Sequence, residues 1–505
     1  MTWFWSHRRN TSLHHMSLFA NGLRGKGFLP AIDFWFENQI FLGRPGKGCY
    51  IYYDRDEMDE KFLAIQRCIE ENPRCAEEFK NIQDALFDDL FSVCDEIRRT
   101  NLQHAQRNDL LLLVRKFAKT IGRGPIITIQ LWGIEACWDD RALLAHEVRR
   151  ADPVRFEQHK GTLSQSTGKT VAFSERESLL EIASSIAEQK DLKRLLLARS
   201  FAEAEQLLNT IPALAKRLSQ HIDRFSWVHT EYVSSQWTTA QWYDQVATAL
   251  ESDASVALKQ LREIRADAIL CRERLIAELG LSSKARRVLT LLNAFVAERD
   301  WAKGKMCAAL AAYDPLLGEA ALRLGISRDA ILHYDIDEVL EALLIGRSNV
   351  LERTDGWALH CSKTQRRIIP SARLAAFLAE EGLDDMTAAV ERVSSFCGIV
   401  ANRGHVKGPV RVIDDPKELG LFRDGEILVT YMTTMEFTPI FKKAIGIITD
   451  EGGLSSHAAI ISREFGLPCV VGTRIATRML KTGDMIELDA TNGMISLSED
   501  SQQSL

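Results

Sequence analysis

Residues 449–473 read TDEGGLSSHAAIISREFGLPCVVGT. An apolar run ends at Thr449, and Gly452 and Gly453 then permit a tight turn and a close approach of the backbone to a ligand. Ser455 or Ser456 is placed to cap the helix that follows, because a hydroxyl there accepts from an N–H of the first turn. Ala458, Ile461 and Phe465 share one helical face, Gly466 ends the helix, and Pro468 prevents its continuation. His457 therefore falls in the first helical turn, where outward N–H groups and the helix dipole favour negative charge. A neutral imidazole is a competent nucleophile toward phosphorus at pH 7. Glycine turn, hydroxyls, histidine and helix start together make a candidate site for a phosphorylated histidine. The plainer alternative is a histidine that only caps or packs.

Around this stretch lie short apolar runs: VRVI (410–413), EILVT (426–430), AIGIIT (444–449), PCVVGT (468–473), MIELDA (485–490) and MISL (494–497). Each is bounded by Gly, Asp, Pro or Asn, as strands are. Helical patches near 439–443 and at His457–Phe465 interrupt them. The pattern predicts a compact α/β unit after about residue 397.

Upstream the grammar differs. Only nine of the 30 glycines lie between residues 51 and 340, whereas twelve lie between 398 and 493, so the long middle is expected to be helical. Leu258, Leu261, Ile264, Ala268, Cys271, Leu275 and Leu279 recur at steps of three and four until Gly280. Thr238 with Gln241, and Ser174 with Glu177, have capping-box spacing, and a second long helix is predicted over 284–310. The reading divides the chain into a helical lobe at 1–170, a second helical domain at 171–395 and the α/β unit at 396–505, with a hinge near 384–404. The polar stretch 152–170 marks the first boundary. The fold class expected is thus multidomain α plus α/β.

A length of 505 residues suits several domains, and 46% hydrophobic with 26% charged residues is ordinary for a globular protein. A net charge of −6 gives no basic footprint for nucleic acid or an anionic membrane. No apolar run is long enough to span a bilayer, and the opening MTWFWSHRRNTSLHH brings charge at once, so a cytoplasmic protein is expected. Ten cysteines without a CxxC pair suit a reducing compartment and argue against a zinc site, so no metal ligands are assigned.

The segments GHVKGPVRVI, GEILVTYMTTMEFTPIFKKAIGIITDEGG, SSHAAIISREFGLPCVVGT and LKTGDMIELDATNG, spanning 404–493, resemble the mobile phosphohistidine domain of phosphoenolpyruvate-utilising enzymes. That group includes phosphoenolpyruvate synthase, pyruvate phosphate dikinase and rifampicin phosphotransferase. The resemblance implies a swivelling β/β/α domain whose phosphoryl-accepting residue is His457, with Gly452, Gly453, Ser455, Ser456 and Arg463 on motif positions around it. Ser456 departs from the cysteine typical of the synthases and dikinases. The stretches 222–246 and 333–357 are similar to the helical region that precedes this domain in rifampicin phosphotransferase and in stand-alone mobile-region proteins.

Those enzymes also carry an ATP-grasp domain, and no sequence here resembles one. LSQSTGKT (163–170) approaches a phosphate loop, but Leu163 stands where the motif needs glycine, and it reads as a loop. The resemblance therefore implies a phosphotransferase component: a separate ATP-grasp or phosphoenolpyruvate-binding protein would hold the donor with Mg2+, this chain would bind no cofactor of its own, and a small molecule would accept the group. The aromatic set Trp227, Tyr232, Trp237, Trp242 and Tyr243, with Arg299, is a candidate acceptor pocket, although helical spacing also suits a core. Arg286, Arg287, Lys303 and Lys305 could receive an anion or line a solvated face, and His405 reads as surface. The competing hypothesis is a non-catalytic regulatory protein that retains the swivelling fold.

Overall fold

The computed structural model describes residues 3–9, 11–22, 36–44, 48–123, 133, 136–164, 167–227, 237–346, 353, 355–362, 365–383, 393–414, 416–433, 437, 440–441, 443–453 and 456–498. The chain forms two compact units that interleave along the sequence. The first comprises 1–147, 226–236 and 281–385, and the second 148–225, 237–280 and 386–505.

The first unit combines helices with a sheet that the sequence reading did not foresee. Strands β1 (Trp3–Arg9), β2 (Gln39–Arg44), β3 (Gly48–Asp54), β4 (Trp357–Cys361) and β5 (Arg366–Pro370) pair in the order β1-β3-β2-β4-β5, every neighbour antiparallel. Residues 1–395 are thus not purely helical. An antiparallel sheet of this kind is not a parallel nucleotide-binding sheet. The helical core gathers Phe117, Leu316, Leu317, Ile336 and Val339 around Tyr313, whose ring stacks on Phe117 at 4.1 Å. The predicted 284–310 helix extends over Ser283–Arg323, about 60 Å at 1.5 Å per residue.

In the second unit, six helices between Val171 and Glu278 share a core of Leu179, Ile182, Ile186, Leu218, Val246 and Ala247. The capping box of Thr238 with Gln241 starts the helix Thr239–Leu250. Ser174 is not the cap: the helix Val171–Ala187 begins four residues earlier than its spacing suggests, with Thr170 as N-cap, whose hydroxyl accepts from Phe173 N at 3.2 Å. The helix Ala254–Glu278 follows the periodicity, and Leu261 and Leu275 are buried, but Ile264 and Cys271 are exposed. The stripe is wider than the face that packs.

The C-terminal part of this unit is an eight-stranded sheet in the order β6-β13-β12-β8-β9-β10-β11-β7. Its strands are β6 (Ser395–Cys397), β7 (Ile399–Asn402), β8 (His405–Val412), β9 (Ile427–Thr430), β10 (Gly446–Thr449), β11 (Cys469–Val471), β12 (Met485–Asp489) and β13 (Met494–Leu497). The two ends of the order, β6 and β7, are consecutive in the chain with only Gly398 between them, so the sheet returns on itself. A side chain at Gly398 would stand 2.6 Å from Val470 Cγ1, and its N–H donates to Gly493 O at 2.9 Å, so glycine is required at the corner. Residues 395–402, within the span read as hinge, are therefore strands of this sheet; residues 384–392 lie outside the described residues.

Strands β8, β9, β10 and β11 run parallel. Alternate residues enter two cores: Leu428, Ile447, Cys469 and Val471 on one side, Ile427, Val429, Ile448 and Val470 on the other. Burial on both faces explains why these strands read as unbroken apolar runs.

Candidate functional site

The site lies where β9 and β10 end, at the carboxyl edge of the parallel strands, the usual place for ligands in open α/β sheets. Past the strands the chains stay paired: Asp450 N donates to Thr430 O and Glu451 N to Tyr431 O. That extension brings the loop after β9 beside the loop after β10.

The second loop leads into the helix His457–Phe465, with His457 its first residue. Of the two serines left open by the sequence, Ser456 is the cap: its backbone is extended and its hydroxyl accepts from Ala459 N at 3.3 Å. Ser455 lies outside the described residues. Gly452 has φ +118°, and a Cβ there would stand 2.8 Å from Ser456 Oγ, so glycine is what lets the turn fold onto the cap. A Cβ on Gly453 would meet nothing within 4 Å, so its role is not steric.

Beneath the loop, buried Asp450 holds the chain in place. Its carboxylate accepts from Thr473 Oγ1 at 3.0 Å, from Thr477 N and from the Thr477 hydroxyl. Burial raises its pKa above the ordinary carboxylate value, and the threonine hydrogen bonds oppose that rise. The helix is anchored at its far end as well. Gly466 is left-handed, Leu467 N donates to Ser462 O, and Asn402 Nδ2 donates to the carbonyls of Ser462 and Leu467. Arg463 Nε donates to Ala401 O at 3.1 Å, so this motif arginine ties the helix to β7. Ala458 and Ile461 pack inward, as their spacing predicts.

The imidazole of His457 is half-buried, with the ring of Phe441 at 6.1 Å. Its Nδ1 is 2.9 Å from the hydroxyl of Thr433, a buried residue in the loop after β9. Sequence reasoning missed Thr433. It stands 24 positions upstream of His457, and only the parallel pairing of β9 with β10 brings the two together. With Nδ1 engaged to a hydroxyl, the tautomer that donates Nδ1–H to Thr433 Oγ1 carries its lone pair on Nε2. That arrangement can present a ring nitrogen as nucleophile at a helix N-terminus, where an anionic group is favoured.

The other candidates are dispersed. Trp227 packs on Trp301 at 6.3 Å in the first unit, with Arg299 half-buried on the helix Ser283–Arg323. Trp237 and Trp242 contact one another at 5.2 Å in the second unit, where Trp242 and Tyr243 are buried in the helical core. Tyr232 lies outside the described residues. Lys305 covers the ring of Phe87 at 4.8 Å, and Arg286 Nε bonds Leu281 O. His405 is exposed and bonds Glu487 at 2.8 Å. Lys169 pairs with Glu177, and Arg265 binds the carbonyls of Thr167 and Gly168, so the segment 167–170 is held as a loop. No group of three potential metal ligands occurs among the described residues, and none of their helices is long and apolar enough to cross a membrane.

Residues 422–493 match the family described as PEP-utilising enzyme, mobile domain. Phosphoenolpyruvate synthase of Pyrococcus furiosus is 40% identical over 139 residues, 28% of this chain and 17% of the synthase. An uncharacterised phosphotransferase of Bacillus subtilis is 32% identical over 206 residues, 33% of this chain and 25% of that protein. Rifampicin phosphotransferase of a Streptomyces species is 32% identical over 221 residues, 42% of this chain and 25% of the enzyme. The chain thus matches at most a quarter of the length of these relatives. It carries, at residues 422–493, the mobile domain of the phosphoenolpyruvate-utilising enzymes, and is similar over longer stretches to phosphotransferases.

Proposed function

We propose that this chain is a phosphotransferase component in which His457 carries the phosphoryl group. The observation that supports this most directly is the 2.9 Å contact between Thr433 Oγ1 and His457 Nδ1 at the start of a capped helix. In the first step Nε2 attacks the phosphorus of a donor, the bond from phosphorus to the donor's leaving oxygen breaks, and Nδ1–H remains on Thr433. In the second step an acceptor hydroxyl attacks that phosphorus, the Nε2–P bond breaks, and the hydroxyl proton passes to solvent or a base. Ser456, Gly452, Gly453 and the first helical turn form the cradle for the phosphoryl oxygens, with Ser455 on the adjoining motif position.

The donor is ATP or phosphoenolpyruvate with Mg2+, held by a separate ATP-grasp or phosphoenolpyruvate-binding protein, and the acceptor is a small molecule. One imidazole cannot touch two distant sites at once, so transfer requires the domain 396–505 to swing between donor and acceptor. On the acceptor side Trp227 and Arg299 of the first unit and Trp237 of the second remain separate candidates, whereas Trp242 is a core residue; Tyr232 lies outside the described residues. A purely regulatory module with the same fold has no need for a histidine oriented through Nδ1.

The test feeds labelled ATP or phosphoenolpyruvate to fractionated extract of the source cell in the presence of the full chain. Acid-labile, base-stable label on wild type and none on His457→Ala is expected. Equal label on both overturns the assignment, and a folded wild type that takes label from no fraction favours the regulatory module.

A further inference from the structure

Cys68 lies in the last turn of the helix Arg55–Glu71, and Cys75 is the first residue of the helix Cys75–Arg99. Their sulfurs are 3.3 Å apart. The corner between them is tightly fixed. Asn72 N donates to Cys68 O and Cys75 N to Asn72 O; Asn72 Oδ1 accepts from Arg74 N, and Asn72 Nδ2 donates to Glu78 Oε2 at 3.0 Å. Pro73 stiffens the turn further. Closing a bond across such a corner orders almost no additional chain, and the sulfurs need move little more than an ångström to reach a disulfide separation of about 2 Å. Access differs across the pair: Cys68 is half-exposed and Cys75 buried.

We propose that Cys68 and Cys75 are a reversible dithiol–disulfide pair, oxidised by low-molecular-weight disulfides of the glutathione class. Cys68 is the attacking sulfur and Cys75 the resolving one. The Cys75 thiol, hydrogen-bonded to it, holds Cys68 below the ordinary thiol range, while the same bond and burial push Cys75 up; Glu78 opposes ionisation of both. In the first exchange the Cys68 thiolate attacks one sulfur of the oxidant, the oxidant's S–S bond breaks, and one thiolate leaves and takes up a proton. In the second, Cys75 gives its proton to water and its sulfur attacks Cys68 Sγ, expelling the other small thiol. Two protein thiols are oxidised and one small disulfide is reduced to two thiols. The product is a staple between two helices of the first unit, and it does not depend on the function proposed for His457.

The experiment incubates the reduced, folded full chain with excess oxidised glutathione without oxygen, then denatures it, alkylates it and maps the peptides. The expected result is a linked peptide pair carrying Cys68 and Cys75, both returned to thiols by dithiothreitol, whereas the exposed Cys271 and Cys397 give at most separate glutathione adducts. Cys75→Ser, checked for folding by circular dichroism, should retain a glutathione adduct on Cys68, and Cys68→Ser should leave Cys75 unmodified. The wild-type map decides the matter even if a variant fails to fold. Cys68 and Cys75 both recovered as thiols, Cys68 joined to any other cysteine of the chain, or a lasting adduct on Cys68 in wild type would each overturn the proposal.

Discussion

Replacing Thr433 with valine removes the hydroxyl from His457 and keeps the branched shape of a buried side chain. A neutral hydrogen bond of this kind is worth about 1 kcal/mol, so Thr433→Val should lower stability by roughly that amount. The effect on phosphorylation should be larger. As Nε2 attacks phosphorus the ring gains positive charge, and the bond from Nδ1–H to Thr433 Oγ1 at 2.9 Å becomes charge-assisted. Such bonds are worth about 1.5–3 kcal/mol against about 1 kcal/mol for the neutral bond of the resting state, and the difference of about 0.5–2 kcal/mol predicts phosphorylation roughly two- to thirtyfold slower. Regiochemistry is a second readout. With the Thr433 contact gone either nitrogen can act, so the variant should yield some Nδ1-phosphohistidine where wild type yields the Nε2 isomer. The assay follows phosphate uptake from phosphoramidate, a donor that needs no partner protein, by quench flow and resolves the isomers by 31P NMR. Wild-type rate and wild-type isomer in a folded Thr433→Val would refute the orienting role.

Other perturbations have equally definite outcomes. His457→Ala and His457→Asn should abolish acid-labile phosphorylation at this site and change the denaturation midpoint little, because the ring is half-buried at a helix start. Ser456→Ala should cost about 0.5–2 kcal/mol by urea titration, the usual loss for a serine N-cap, and slow transfer less than loss of His457 does. Gly452→Ala should cost more than Gly453→Ala in the same titration, since only Gly452 combines a left-handed φ with a Cβ position 2.8 Å from Ser456. In the first unit, burial pushes the pKa of His14 down to about 3, with the backbone of Tyr334 opposing and Arg328 adding to the shift. A folded-state pKa below the unfolded value gives stability that is present above about pH 6.5 and lost as pH falls toward 3. Denaturation at pH 7 and pH 5 should therefore show wild type weaker at pH 5, by up to about 2 kcal/mol from this group, and His14→Gln should remove part of the slope. An unchanged slope would show that His14 is not the group responsible.

What the sequence disclosed, it disclosed locally. The runs at 426–430, 444–449 and 485–490 became β9, β10 and β12 because unbroken apolar stretches between Gly and Asp leave little alternative. The helix His457–Phe465 was legible at both ends, from a serine cap and from Gly466 before a proline. The sheet of the first unit was not. GCYIYYD at 48–54 carries a strand signal of aromatic and β-branched residues, but the glycine-poor helical pattern around it dominated the reading. Its sheet is completed by WALHC and RRIIP some three hundred residues later, and no local pattern announces a pairing at that distance. Thr433 was missed for the same reason: its partner is set by strand register, not by spacing. The span 384–404 was read as hinge because the partners of β6 and β7 lie some seventy to a hundred residues later, and Gly398 between them closes the sheet.

His457 is the proposed phosphoryl carrier, reacting through Nε2. The most direct measurement treats the folded full chain with phosphoramidate for a short time, digests it at alkaline pH and locates phosphohistidine among the twelve histidines by mass spectrometry, with 31P NMR assigning the isomer. His457 should be modified first, as the Nε2 isomer, and unfolding the chain in urea should abolish its lead. A His457 that reacts no faster than exposed His405, or that reacts through Nδ1, would contradict this assignment.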